Sequence, residues 1–294
     1  VVVPLIGALL CGLLRRGTTA WALSLVVSWL MPAISIALLL QVLDSGPISY
    51  HLGGWAPPWG IEYRVDLLNA FILVLVSGVA AVMMPFARRS VAAEVDSDKQ
   101  AWFYSMYLLC LTGLLGITIT GDAFNIFVFL EISSLSTYVL IALGKDRRAL
   151  VAAYQYLIMG TIGATFYVIG IGLLYLVTGS LNIADIASRL ASAPPEFSRP
   201  VLAALAFLTV GVCLKLALFR LHVWLPNAYA YAPSVASAFL AATATKVSIY
   251  VLLRVYLTIF GPAFSIGAGR PFDLMHEADA ALFGALEADP ENLV

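Results

Sequence analysis

The sequence predicts an all-α fold: a polytopic membrane bundle of about eight transmembrane helices, with the seventh broken. Three observations predict it. The 294 residues are 62% hydrophobic and 11% charged, with a mean hydropathy of +0.96. A water-soluble domain carries about 25% charged residues, so this chain has too few to cover a core of its size in water. The apolar residues come in runs close to the 20 or so needed to cross a bilayer. The third observation is the stretch at 211–250, GVCLKLALFRLHVWLPNAYAYAPSVASAFLAATATKVSIY, which sets lysines in apolar sequence on both sides of a proline-marked break.

In chain order, residues 1–14 give a short first span and 20–43 the second. Residues 44–64 are polar and rich in Gly, Pro and Trp. They read as an interfacial loop with Trp55 and Trp59 as headgroup anchors. Span three covers about 65–86, followed by a charged loop at 87–100; span four covers about 101–120. Gly121-Asp122 turns the chain into span five, about 122–143, which Lys145-Asp146-Arg147-Arg148 closes. Span six covers about 150–178, with glycines at 160, 163, 170 and 172 for close helix packing. A polar loop at 179–200 ends in Pro194-Pro195. Span seven starts near 201 and span eight runs from about 234 to 258. The chain thus divides into a transmembrane region, 1–260, and an acidic C-terminal tail, 261–294. The tail has no basic residue after Arg270 but carries Asp273, Glu277, Asp279, Glu287, Asp289 and Glu291; His276 lies within it.

Lys and Arg set the orientation. The loops after spans one, three and five hold Arg15, Arg16, Arg88, Arg89, Lys99, Lys145, Arg147 and Arg148. Those after spans two and six hold Arg64, Arg189 and Arg199. The positive-inside rule places the first set in the cytoplasm and the N-terminus outside, in a cell inner (plasma) membrane. Arg15-Arg16 follows the first apolar run in place of a small-residue cleavage site, which argues against a cleavable signal.

The net charge of −1 gives no basic face for nucleic acid. Cys11, Cys110 and Cys213 lie in apolar runs without metal spacing and read as small buried hydrophobes. The sequence shows no phosphate loop, CxxC, nucleophile triad or haem-like histidine pair, so it offers no site for covalent catalysis.

The ionisable residues inside spans are a different matter. A lysine at the centre of a membrane helix costs about 2.5–3.5 kcal/mol even on the mildest scales, so such residues mark functional sites by default. Glu131 sits in FNIFVFLEISSLSTYVLIALG, about ten residues from either end, too deep to reach the surface; Ser134 at i+3 is placed to hydrogen-bond it. Its expected partner is Lys215, mid-span on another helix. Each charge keeps the other ionised, so separating them makes the lysine release its proton. Lys246, with no carboxylate in view on neighbouring spans, is expected to lose its proton readily. His222 follows Lys215 by two turns, sharing its stripe if the helix continues, and titrates near neutral pH. Leu225-Pro226-Asn227 is expected to end or kink that helix, and Pro233 to begin the next. Arg254 and Asp122 read as solvated groups at the interfaces. Asp66 and Tyr154-Gln155-Tyr156 read equally well as satisfying local neighbours.

GDAFNIFVFLEISSLSTYVLIALG, followed by LKLALFRLHVWLPNAYAYAPSVASAFLAATATKVSIYVLLR, resembles the Mrp-type cation/proton antiporter subunits and the antiporter-like membrane subunits of respiratory complex I. The likeness covers roughly residues 50–258. The FxFLEISSLSxY form, with lysine at 246, is most similar to the D subunit of the Mrp antiporter. The resemblance implies a proton relay through Glu131, Lys215, His222 and Lys246, with protons and Na+ as cargo and no cofactor in this chain. It implies work within a hetero-oligomer in the lipid membrane, either a sodium/proton antiporter or, as the alternative, an NADH:quinone oxidoreductase or membrane hydrogenase. Two departures qualify it. Arg220 stands where family members have proline, and the chain covers the first of the family's two repeats, as a truncated or paired form would. A non-conducting structural subunit or gene fragment is the reading from another class.

Overall fold

The computed structural model describes residues 1–14, 16–194 and 197–261. Arg15 and the acidic tail from 262 onward, with His276, lie outside the described residues. The chain is a helical bundle: α1 (Val2–Leu14), α2 (Gly17–Ser45), α3 (Leu67–Glu94), α4 (Gln100–Ile119), α5 (Ala123–Ala142), α6 (Arg147–Thr178), α7 (Ile183–Ala191), α8 (Ser198–Leu216), α9 (Trp224–Tyr231) and α10 (Ser234–Leu253). A π-helical segment, Arg254–Phe260, continues α10. Among the described residues, seven helices are long and apolar enough to cross a membrane. The expected first span, α1, has 13 residues, about 20 Å at 1.5 Å per residue, short of a bilayer core of about 30 Å.

Several boundaries differ from expectation. The interfacial loop at 44–64 folds back on itself. Strands β1 (Ile48–His51) and β2 (Glu62–Val65) pair antiparallel, with Ile48 opposite Val65 and His51 opposite Glu62. Trp55 and Trp59 lie in the connection between them and are 69% and 88% exposed. The loop at 87–100 is half helix, because α3 runs on through Arg88 and Arg89 to Glu94. The loop at 179–200 contains α7, which turns Ile183 and Ile186 inward.

Side chains at the helix starts explain where the turns fall. Asp66 and Asn69 form a reciprocal capping box at α3, Asp122 accepts from the Asn125 N–H at α5, and Asp146 accepts from the Arg148 N–H at α6. Each satisfies a donor that the first helical turn leaves unpaired.

The two ends of the bundle are tied differently. At the hairpin end, the backbone of Glu62 accepts from Gly121 N–H at 2.8 Å. The Glu62 carboxylate accepts from Ser49 at 2.5 Å and from Asn182 at 2.8 Å. The hairpin and the α4–α5 and α6–α7 turns therefore interlock around one buried residue, Glu62, through its backbone carbonyl and its carboxylate. At the opposite, basic end, Lys145 donates to the Ala93 carbonyl and Glu94 accepts from Ser234 N–H at 2.6 Å.

Small residues let the inner helices touch. A side chain at Gly113 would meet the Ser133 backbone, and one at Gly211 would sit 2.7 Å from the Gly163 carbonyl oxygen and 2.8 Å from Tyr167 N. Gly160, Gly163 and Gly170 pack as expected, whereas Gly172 faces open space. Gly211→Ala should therefore lower stability by about 1–3 kcal/mol through overpacking against backbone that cannot yield. Gly172→Ala should be neutral or slightly stabilising. Thermal unfolding of the two variants in detergent separates them.

Candidate functional site

The centre of the bundle holds one buried ion pair. Glu131 lies halfway along α5, and Lys215 occupies the last turn of α8. Lys215 Nζ stands 3.7 Å from Glu131 Oε1, with the two side chains 6% and 28% exposed. The ammonium also donates to Ser134 Oγ at 2.5 Å. Ser134 therefore serves the lysine, not Glu131 as its i+3 spacing suggested, and Glu131 Oε1 has no hydrogen-bond partner among the described residues. Lys215 also sits at the carbonyl-rich end of α8, where a cation is favoured. Coulomb attraction at this separation is about 4 kcal/mol at an effective dielectric near 20. That is enough to offset the ~2.5–3.5 kcal/mol cost of a lysine at membrane depth.

The α8 helix stops at Lys215 because the chain unwinds beyond it. Ala217 and Arg220 adopt left-handed backbone angles, φ 58° and 74°, which an L-residue with a Cβ holds only at a cost of order 1–3 kcal/mol. The helical break thus spans Ala217–Val223, upstream of the expected Leu225-Pro226-Asn227. Pro226 lies in the first turn of α9, where its missing N–H is not needed. Neighbouring groups hold this irregular stretch in place. Trp224 Nε1 donates to the Leu214 carbonyl at 3.2 Å, a second donor on an acceptor that otherwise takes only the Ala217 N–H of the last, tightened turn. The Trp224 ring stacks on Tyr156 at 4.0 Å, and Tyr156 meets Tyr138 edge-on at 4.8 Å. Asn227 donates to Gln155 at 3.1 Å. Gln155 and Tyr156 therefore clamp α9 to α6.

The other two expected relay residues are not in this cluster. His222 lies in the break, so it does not continue the Lys215 stripe. Its ring stacks on Phe219 at 5.8 Å, and its Nδ1 has no partner among the described residues. Lys246 is exposed, and its Nζ donates to the Ala241 carbonyl of its own helix. Ser248 and Val251 of α10 line the crevice beside Lys215. Two residues are about 200° around a helix, so Lys246 points away from Lys215. The crevice is lined mainly by apolar groups and is too tight in this conformation to admit water.

Sequence reasoning missed a second ion pair. Arg254 Nη2 lies 2.6 and 2.5 Å from the two Asp66 carboxylate oxygens, and its Nε donates to Tyr250 at 3.0 Å. Arg254 is thus paired, not solvated, and Asp122 is buried at 8% exposure. Counting spans puts Asp66 and Arg254 at the same end of the bundle, which is the signal that pairs them. The pair borders a polar cavity of about 90 Å³ shared with Glu62 and Asn69. Among the described residues no group of three or more His, Cys, Asp or Glu could hold a metal ion.

The family described as NADH:quinone oxidoreductase/Mrp antiporter, TM, matches residues 120–288. The chain is 44% identical over 292 residues to NADH-quinone oxidoreductase subunit N of Desulforudis audaxviator, covering 98% of this chain and 57% of that protein. It is 32% identical over 237 residues to the D subunit of the Na(+)/H(+) antiporter of Alkalihalophilus pseudofirmus, covering 80% of this chain and 47% of that one. The membrane-bound sulfane sulfur reductase, an archaeal respiratory membrane complex, contains a chain with a TM-score of 0.80 and 31% identity; the match covers 87% of this chain and 52% of that one. The chain spans about half the length of the curated relatives it matches.

The ion pair makes a stability prediction. Lys215→Met leaves Glu131 facing the protein interior without its counter-charge and should cost about 3–5 kcal/mol. Lys215→Met combined with Glu131→Gln should recover most of that loss. A double-mutant cycle by thermal unfolding in detergent measures the coupling.

Proposed function

The chain belongs to the NADH:quinone oxidoreductase/Mrp antiporter family of membrane proteins, and from that premise we propose that it is a proton-translocating subunit of a multisubunit membrane complex. The observation that carries this reading is the Glu131–Lys215 pair, two opposite charges meeting in the centre of an otherwise apolar bundle. Their 3.7 Å spacing brings them into Coulomb contact without locking them in a short hydrogen bond. Protonating Glu131, or moving it away, removes the charge that keeps Lys215 ionised. The lysine then gives up its proton, and reprotonation restores the pair. The broken backbone at Ala217–Val223 beside Lys215 gives the site a segment that can shift without unfolding a helix.

In this reading Lys246 and His222 are the onward members of the relay. Lys246 reaches it only after α10 rotates or partner groups close over its exposed side chain. The cargo is protons exchanged against Na+ in an antiporter of Mrp type, in the plasma membrane, with the basic end cytoplasmic and further subunits alongside. The motif FLEISSLSTY and the lysine at 246 support that assembly. The 44% identity to an NADH-quinone oxidoreductase chain over nearly the whole length favours a second reading, a redox-driven quinone oxidoreductase that uses the same pair.

Everted vesicles carrying the complete host complex test the proposal by dye quenching. Sodium-dependent proton movement marks the antiporter, and quenching driven by a reductant marks the oxidoreductase. Lys215→Ala should abolish either signal at normal membrane levels. Glu131→Gln should cut it by roughly 10²-fold, the scale of losing a positioned proton-transfer group. Unchanged transport in both variants would leave the chain with a structural role alone.

A further inference from the structure

Lys246 is a cation that the described bundle does not satisfy. The span made of α10 and its π-helical continuation runs from Ser234 to Phe260. Lys246 lies about 18 Å from its start and about 21 Å from its end at 1.5 Å per residue. That is farther than a four-carbon stem can carry an ammonium, so the side chain cannot snorkel to either surface. It is exposed all the same. It shares one stripe of α10 with Ala238, Ala242, Ile249 and Leu253, all exposed or half-buried. Phe239, Leu240, Val247 and Val251 take the side that packs into the bundle.

Hydrocarbon offers an ammonium neither counter-charge nor acceptor, so a lysine at this depth belongs against protein or water. The ammonium has three N–H donors. One goes to the Ala241 carbonyl, which the helix already uses for the Thr245 N–H. Lys246 enters no ion pair among the described residues. Lys215, by contrast, has Glu131 and Ser134. The carboxylates that could answer Lys246 from within the described bundle are committed elsewhere. Asp66 is held by Arg254, Glu62 by Ser49 and Asn182, and Asp122 by the start of α5. The rest of the stripe is apolar, which suits a packed helix better than a water-filled space. Ala238 and Ala242 leave room for another helix to come close.

We infer that the Ala238–Leu253 stripe of α10 is a docking face for an apolar membrane helix of a neighbouring chain in the host complex, and that this helix carries an Asp or Glu that pairs with Lys246. Charge complementarity selects the occupant: a carboxylate supplies both the missing counter-charge and acceptors for the free N–H groups. The inference takes from the proposed function only that the chain works within a complex. It does not depend on proton transfer.

The test uses the complete host complex in its native membrane. A membrane-permeant carbodiimide couples an amine to a carboxylate only where the two touch; the amide forms with loss of water, which converts the carbodiimide to its urea. Mass spectrometry of the digest should show the Lys246 peptide joined to an Asp or Glu in an apolar segment of a neighbouring chain, and Lys246→Met should remove that product. Lys246→Glu sets two carboxylates face to face, so assembled complex should fall roughly tenfold or more while the chain keeps its own membrane level. Lys246→Arg should preserve assembly. Unchanged assembly in Lys246→Glu overturns the inference, as does coupling to residues 262–294 or to a second copy of this chain. A Lys246 amine that stays uncoupled but takes up a water-soluble amine reagent means that a hydrated pocket lies here. One that reacts with neither means that lipid covers the stripe, and either result overturns the inference. Loss of transport in Lys215→Ala beside any of these results leaves the proposed function standing. Should Lys246→Glu fail to insert, the coupling result decides.

Discussion

The constraint on which the rest depends is the charge on Lys215. An ammonium ion at the centre of an apolar bundle is tolerable only where opposite charge and acceptors meet it. Here three elements do so together: Glu131 at 3.7 Å, Ser134 Oγ at 2.5 Å, and the carbonyl end of α8. None of these is local to Lys215 in sequence except the last. The α5–α8 approach must therefore be accurate to within an ångström or so. The glycine contacts between α4 and α5 and between α6 and α8 make that accuracy available by letting backbone, not side chains, set the spacing.

The ends of the bundle divide the labour. At the hairpin end, Glu62 collects donors from its partner strand and from two separate turns, and Asp66 pairs with Arg254 across α3 and the end of α10. At the basic end, the ties among the described residues are more exposed, with Lys145 on a carbonyl, Glu94 capping α10 and Arg148 donating to Tyr231. Solvent-exposed ties mean a lower cost of local opening. The broken segment also favours motion on this side, since Ala217 and Arg220 store strain while Trp224 and Asn227 hold α9 to α6. A rigid hairpin end and a looser basic end fit the exchange of partners proposed for the central pair.

Much of the fold was legible from hydropathy alone, because the bilayer imposes a minimum length on every span and every loop must be polar. The alternation of Lys and Arg agreed with the ends that the structure brings together. The hairpin at 48–65 was not legible, because its pairing depends on Glu62 meeting residues from 121 and 182. The break was displaced for a similar reason. Proline was the visible signal, yet Pro226 is harmless in a first turn, and the true break falls on Ala217 and Arg220, whose types give no warning.

For the site, sequence by itself determined that Glu131 and Lys215 are too deep to be solvated and must therefore be partnered. Lipid offers a charge nothing, so depth alone settles that question. Tertiary structure decided which partners they have. It gave Ser134 to the lysine, set His222 aside against Phe219, turned Lys246 outward and joined Asp66 to Arg254. Those choices depend on helix rotation and on where the helix unwinds. Both are fixed by packing between segments far apart in the chain, which no single run of residues records.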